Sequence, residues 1–364
     1  MLDRNVLEVV EGAKKTKQLF FASLCALAFL REIVFSQLPS LRGESHLLKQ
    51  AGNGRLGPRF PMKRNLGATL VASVLFFMNH LTRAADPREG KIARPGFDLH
   101  YRLFGQGKPL LVLSGGPGLD CDYVEPVARE LASSNRTILV ELRGTGRSLP
   151  PRINRQTVNL KLYLADLEAL RESLKLDRWT VLGHSAGANL AMNYAVAFPA
   201  RIEALVLVDS GPVRQSLLGA MTDNIFLRLT PEEAAAAKRT PSFQNLLPGY
   251  FYDREKAAAM VTTFRAESYH DDVGRLLAAD EMAPGMDLRP ALERLSVPAL
   301  VIAGRQDPID PVMQDEIHLA LKNSRLVLLD RCGHFSWLEQ PAALYSAIRE
   351  FLAENSRRAQ APSP

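Results

Sequence analysis

Val181-Leu182-Gly183-His184-Ser185-Ala186-Gly187 sets the pattern G-x-S-x-G between a short apolar run, Thr180 to Leu182, and a helical pattern that runs from Ala188 to Phe198. A serine in that setting is expected on a sharp strand-to-helix turn. Its hydroxyl would be lifted above a sheet, and the two glycines would let strand and helix approach without a Cβ clash. The pattern is short enough to arise by accident, so its flanks carry most of the weight.

Outward from this turn, short apolar runs alternate with helical stretches of ten to fifteen residues. The runs are Phe97 to Leu103, Leu110 to Leu113, Thr137 to Glu141, Thr180 to Leu182, Ala204 to Val208, Ala299 to Ala303 and Arg325 to Leu329. Helical patterns lie at Tyr123 to Ala132, Leu160 to Leu174, Ala188 to Phe198 and Ala342 to Ala353. Such alternation predicts βαβ units around a mostly parallel sheet with helices on both faces, an α/β fold. It stops between Gly211 and about Leu295, where the pattern is helical throughout. Thr230-Pro231-Glu232-Glu233 reads as a capping box with Pro in the first turn, and Asp253 and Asp271 read as further N-caps. We therefore expect residues 86–211 and 296–358 to form one α/β core, residues 212–295 to form a helical cap over the carboxyl end of the sheet, and residues 359–364 to be a tail.

A nucleophilic serine needs a base within reach and an acid that orients the base, here in the chain order Ser, acid, His. Asp307, in Gly304-Arg305-Gln306-Asp307, follows the run Ala299 to Ala303; His334, in Cys332-Gly333-His334-Phe335, follows the run Arg325 to Leu329. Asp310 is the competing acid, but it precedes Pro311 as a helix N-cap would. His46 and His80 precede the core, His100 lies on a strand, His184 adjoins the serine, and His270 and His318 lie in helical stretches. Acyl transfer also needs donors for an oxyanion. Ser114-Gly115-Gly116-Pro117-Gly118 follows the run Leu110 to Leu113, so the N–H groups of Gly116 and Ala186 are the candidate pair.

The chain has 364 residues and a formal net charge of +6. That charge is not spread evenly: residues 1–85 hold 12 Lys and Arg against 5 Asp and Glu, which leaves the rest at −1. Nucleic acid is therefore not an expected partner of the core. The segment 62–85 reads as a signal peptide: Lys63 and Arg64, an apolar stretch Leu66 to Met78, and a cleavage site at Thr82-Arg83-Ala84. An uncleaved segment would instead anchor the protein to a membrane. On the signal reading Met62 is the start, residues 1–61 come from an over-long gene model, and the protein is exported, to the periplasm or beyond; the rival reading keeps residues 1–61 as a basic N-terminal extension without a fold of its own. The three cysteines lack the spacing of a zinc set, and neither metal nor cofactor is implied.

The chain resembles the α/β-hydrolases, and within them the proline iminopeptidase branch. The shared features are Gly115-Gly116-Pro117-Gly118, Glu141-Leu142-Arg143-Gly144-Thr145-Gly146-Arg147-Ser148, the Ser185 turn, the cap position, and Gly333-His334-Phe335-Ser336-Trp337-Leu338-Glu339-Gln340-Pro341. This resemblance implies an α/β-hydrolase fold with the cap inserted after its sixth strand, and a triad of Ser185, Asp307 and His334. It also implies cleavage of an ester or amide of a small molecule or short peptide, without a cofactor. That branch usually has His before G-G-P-G and Trp after the nucleophile, where this chain has Ser114 and Ala186, and G-H-S-A-G is closer to the esterases and lactonases of the fold. Those peptidases hold a free amine with acidic cap residues; Glu232, Glu233, Glu255, Glu267 and Glu281 lie in the insertion, and no motif singles one out. Aminopeptidase action and a non-catalytic binding role are the alternative readings. Cys121 and Cys332 flank the two site loops, either as a disulfide or as two buried thiols.

Overall fold

The computed structural model describes residues 86–360 apart from Met282 and Pro284. The basic extension, the signal-like segment 62–85 and residues 361–364 lie outside the described residues. Eight strands form one sheet: β1 (Arg88–Arg94), β2 (Phe97–Phe104), β3 (Lys108–Leu113), β4 (Asn135–Val140), β5 (Trp179–His184), β6 (Ile202–Val208), β7 (Ala299–Gly304) and β8 (Ser324–Leu329). Their order is β1-β2-β4-β3-β5-β6-β7-β8. The first two pairings, β1 with β2 and β2 with β4, are antiparallel, and every later one is parallel.

Parallel strands must return through crossovers, and the helices that do so here cover both faces. In chain order the helices are α1 (Glu125–Leu131), α2 (Leu160–Ser173) and α3 (Ala186–Ala197), then in the insertion α4 (Leu218–Arg228), α5 (Pro231–Arg239), α6 (Phe243–Leu246), α7 (Arg254–Thr263), α8 (Asp271–Glu281) and α9 (Arg289–Leu292), then α10 (Pro311–Ala320) and, after the last strand, α11 (Ser336–Glu339) and α12 (Pro341–Gln360). Alternation along the strands sorts side chains between two cores. Leu111, Leu113, Val181, Leu205 and Val301 pack with Leu167 of α2 and Ala191 of α3. Leu110, Val112, Leu182, Val206 and Leu300 pack with Val127 of α1 and Ile348 of α12. Burying such side chains contributes roughly 1.5–3 kcal/mol each, which is why the central strands read as continuous apolar runs.

The strand with no counterpart in the apolar pattern is β1. Its sequence, Arg-Glu-Gly-Lys-Ile-Ala-Arg, is half charged, because it is an edge strand whose side chains are exposed or half-buried. Between β6 and β7 the chain is helical, as its pattern predicts. Thr230 and Glu233 form the capping box of α5, and Asp253 caps α7 by accepting from the N–H groups of Glu255 and Lys256. Asp271 departs from its expected place: it is the first residue inside α8, paired with Arg275. At the far end α12 runs to Gln360, so the helix takes in residues expected in the tail.

The Glu141 to Ser148 stretch is a turn tied by charge. Arg143 makes a two-pronged contact with Asp166 at 2.7 Å on each prong, and Arg147 pairs with Glu141 at 2.6 Å. Arg143 and Asp166 are buried and satisfy each other, while Arg147 reaches from the surface to the buried Glu141, so both pairs are spent on structure.

Candidate active site

Ser185 stands at the carboxyl end of β5, between β3 and β6 in the middle of the sheet. Its backbone is left-handed, with φ 56° and ψ −126°, a conformation that costs a non-glycine residue about 1–3 kcal/mol. The surroundings enforce it. The Ser185 N–H donates to the carbonyl of Val208 at 3.0 Å, and the Ser185 carbonyl accepts from Ala188 at 2.9 Å and from Gly211 at 3.4 Å. A Cβ on Gly183 would overlap the carbonyl of Gly187, and one on Gly187 would sit 2.5 Å from the Ser114 carbonyl oxygen. Both glycines are therefore required by close backbone approach. Ser185 itself is half-buried, directly after the buried strand residues 181–184.

Asp307 and His334 are brought together. The Nδ1–H of His334 donates to Asp307 Oδ2 at 2.9 Å, while the other carboxylate oxygen accepts from the N–H of Ile309 at 2.8 Å. Protonation at Nδ1, assigned from that partner, leaves Nε2 as an acceptor. The two loops are knit directly: Gln306 N–H donates to the Cys332 carbonyl at 2.8 Å, and Cys332 N–H to Gln306 Oε1 at 3.0 Å. Burial disfavours charge on both groups. It pushes His334 down to about 3 and raises Asp307 above the usual carboxylate range. Asp310 takes the other role expected of it, capping α10 through the N–H of Val312 at 2.9 Å. Ser185 Oγ makes no hydrogen bond to a described residue; such contacts often tighten only when a substrate is bound.

The sequence reading passed over His184. Gly115 N–H donates to Tyr123 Oη at 2.6 Å, Tyr123 O–H donates to His184 Nδ1 at 2.8 Å, and His184 Nε2–H donates to the carbonyl of His334 at 2.9 Å. Burial, with His334 beside it, holds His184 far below its ordinary value, so it is neutral and its tautomer is fixed by these partners. The chain of bonds consumes the first glycine N–H of the loop. Gly116, at φ +119°, and Ala186, at the first position of α3, are left with N–H groups that meet no acceptor among the described residues. An uncommitted pair beside a helix N-terminus can stabilise a developing negative charge.

Two further groups escaped the sequence reading. Tyr250, in the insertion, accepts the His334 N–H on its carbonyl at 2.7 Å, and its ring lies 5.0 Å from the imidazole. Glu339 accepts three backbone N–H groups, from Tyr252 at 2.9 Å, Asp253 at 2.7 Å and Gly333 at 2.6 Å, so one buried carboxyl joins the insertion to the His334 loop. Burial raises it and those three donors partly offset the rise. Tyr250 carries no motif, and Glu339, although inside the Gly333 to Pro341 stretch, has nothing there to mark its role, since its partners in the insertion are backbone groups distant in sequence.

Cys121 and Cys332 are free, buried thiols with separate partners, Arg102 at 2.9 Å and Ser336 at 3.3 Å. Of the acidic residues in the insertion, Glu232, Glu255 and Glu267 are exposed, Glu233 is engaged by its capping box and Arg254, and the side chain of Glu281 lies outside the described residues. Among the described residues no cluster of His, Cys, Asp or Glu is arranged to hold a metal ion. A cavity of about 290 Å³ is walled by Met260 and Phe264 and by Tyr123 and Trp337, whose rings pack against His184.

A family model described as an alpha/beta hydrolase fold matches residues 108–341. The chain is similar to a proline iminopeptidase of Lactobacillus helveticus (strain DPC 4571), 28% identical over 292 residues, which span 73% of this chain and 98% of that protein. Among solved structures it resembles the proline iminopeptidase of Mycobacterium smegmatis, with a TM-score of 0.61 at 21% identity over 75% of this chain and 100% of that one. It also resembles a thermophilic esterase of Thermogutta terrifontis, with a TM-score of 0.54 at 26% identity over 74% of this chain and 99% of that one.

Proposed function

The chain belongs to the α/β-hydrolase fold family, and on that footing we propose that it is a serine hydrolase cleaving an ester or amide of a small substrate. The observation that carries this reading is the bond from His334 Nδ1 to Asp307, which leaves an unprotonated Nε2 in the same strand-end cluster as a serine on a left-handed turn. Ser185 attacks the carbonyl carbon while His334 takes its proton. The oxyanion is held by the N–H groups of Gly116 and Ala186. His334 returns the proton to the leaving group, and water repeats the sequence on the acyl-enzyme. Asp307 orients the imidazole and offsets the charge that forms on it. The helical insertion serves as the cap that shapes the substrate pocket, tied to the base through Tyr250 and Glu339.

An ester or other small acyl substrate is favoured over an N-terminal residue of a peptide. An ion pair with a free amine contributes little where the carboxylate is solvent-exposed, and of the four described glutamates of the insertion named above three are exposed and Glu233 is already paired. The similarity to proline iminopeptidases supports the aminopeptidase reading as the second one. The basic and apolar pattern of residues 62–85 supports export.

The test is hydrolysis by the full chain of a short-chain aryl ester, a proline arylamide and its N-acetylated twin, compared by kcat/KM, with fluorophosphonate labelling of Ser185 alongside. We expect turnover of the ester and labelling of Ser185, both lost in Ser185→Ala, with kcat down by about 10⁴-fold or more. A Ser185→Ala variant within tenfold of wild type would overturn the assignment. Preference for the free-amine arylamide over its blocked twin would favour the aminopeptidase.

A further inference from the structure

Asp209, the first residue after β6, is fully buried and has no place in the mechanism above. Its backbone is left-handed, at φ 47°, which strains a residue with a Cβ. A carboxylic acid held in a dry interior on a strained turn is doubly unfavourable unless its contacts repay it.

Those contacts run to both loops of the proposed acid–base pair. Asp209 Oδ1 accepts the N–H of Gly304 at 2.9 Å, and Gly304 in turn accepts the N–H of Asp307 on its carbonyl at 3.1 Å. Asp209 Oδ2 accepts the hydroxyl of Ser336 at 2.7 Å and its N–H at 3.4 Å, two residues past His334. The same short segment holds the nucleophile, since Val208 and Gly211 bond the backbone of Ser185 from either side. Residues 208–211 thus touch the chain at or beside all three members of the triad.

We propose that Asp209 is a positioning residue for the reaction, a buried clamp that fixes the Asp307 loop against the His334 loop and so sets the angle at which the imidazole meets Ser185. The proposal rests on the serine hydrolase reading. Asp209 touches no reacting atom; it acts through Gly304 and Ser336. Its second oxygen is backed by Ser336 and by the thiol of Cys332, 3.3 Å beyond. This hydroxyl–thiol relay can donate toward the carboxyl or be reversed with the heavy atoms in place. Asparagine can therefore keep the two short bonds of the clamp: its carbonyl keeps Gly304, its amide donates to Ser336 as the hydroxyl turns to Cys332, and only the long 3.4 Å bond from the Ser336 N–H is given up. Alanine keeps neither bond.

The experiment compares the full-length wild type with Asp209→Asn, Asp209→Ala and Ser336→Ala by ester kinetics. It also follows the low-field proton resonance of His334 Nδ1–H, assigned by its loss in His334→Gln. We expect Asp209→Ala to lower kcat by about 100-fold, the scale of a misplacement of about 1 Å, with KM within about threefold and the resonance broadened or lost. Asp209→Asn should stay within tenfold of wild type and keep the resonance. If Asp209→Ala does not fold, Ser336→Ala supplies the same contrast, because it cuts the clamp on the His334 side alone. Full activity and an unchanged resonance in the alanine variants would overturn the proposal. So would equal damage from asparagine and alanine, which would mean that charge and not position is what matters. A wild type that neither turns over esters nor labels with fluorophosphonate would sink the hydrolase reading, while the resonance would still decide whether Asp209 positions His334.

Discussion

His184 Nε2 donates a hydrogen bond to the main-chain carbonyl of His334, 2.9 Å away, so the residue just before the proposed nucleophile holds the backbone of its proposed base. The same imidazole accepts from Tyr123 on its other nitrogen, and its ring packs edge-on against Trp337 with centroids 4.7 Å apart. Replacing it changes both the polar chain and the aromatic cluster beneath the site.

His184→Phe would keep an aromatic ring, slightly larger, in this place, and would leave the Tyr123 O–H, which still accepts from Gly115, without an acceptor and the His334 carbonyl without its donor. We expect a loss of about 1–3 kcal/mol for each group stranded, measured by urea unfolding at pH 7.5. The loss should shrink in acid. Wild-type His184 is held neutral in the fold but titrates near 6.5 when unfolded. Its contribution is therefore complete above that value and falls as the pH drops toward the lowered folded value, by up to about 1.4 kcal/mol per unit. A penalty that grew below pH 6.5 would contradict this reading.

Gly187→Ala tests the packing of the turn. The new methyl would meet the carbonyl oxygens of Ser114 and Leu113 at 2.5 and 2.6 Å, both on backbone that cannot step aside. Overpacking of this kind costs about 1–3 kcal/mol and displaces the loop that carries Gly116, so kcat should fall with stability. Gly219→Ala is the matching control, since nothing lies within 4 Å of its added methyl and it sits in the first turn of α4. Thermal unfolding should show that variant unchanged or slightly more stable.

Glu339→Gln tests the tie between the insertion and the His334 loop. An amide offers one oxygen where three N–H groups converge, and its own N–H₂ would face a donor. A loss of about 1.5–3 kcal/mol is expected, together with faster amide exchange at residues 250–253 and 333–334 and little change elsewhere. Uniform exchange across the chain would show that Glu339 supports global stability and not this contact.

Much of this was legible in the one-dimensional pattern. The sheet core could be read because its strands are buried on both faces and so leave unbroken apolar runs. The turn at Ser185 could be read because only glycine tolerates the approaches at 183 and 187. Asp307 and His334 could be nominated because residues just past strand ends gather on one edge of a parallel sheet. The edge strand β1 left no such trace, because an exposed strand can be charged. Asp271 looked like a cap from its composition, but a carboxylate is as well satisfied one residue further in, where α8 places Arg275 against it.

What the chain order determined by itself was which residue types stand at which strand ends, since local backbone geometry and the period of burial are written in neighbouring residues. Only the tertiary structure decided which of those groups bond to each other. His184 to His334, Glu339 to Tyr252 and Asp253, and Asp209 to Gly304 and Ser336 join residues 86 to 150 positions apart, and most of these bonds end on backbone atoms. Every residue except proline carries the same N–H and every residue carries the same carbonyl, so no side-chain pattern can mark the partner. The choice is made when the loops close over the sheet and each buried polar group must find an acceptor or a donor.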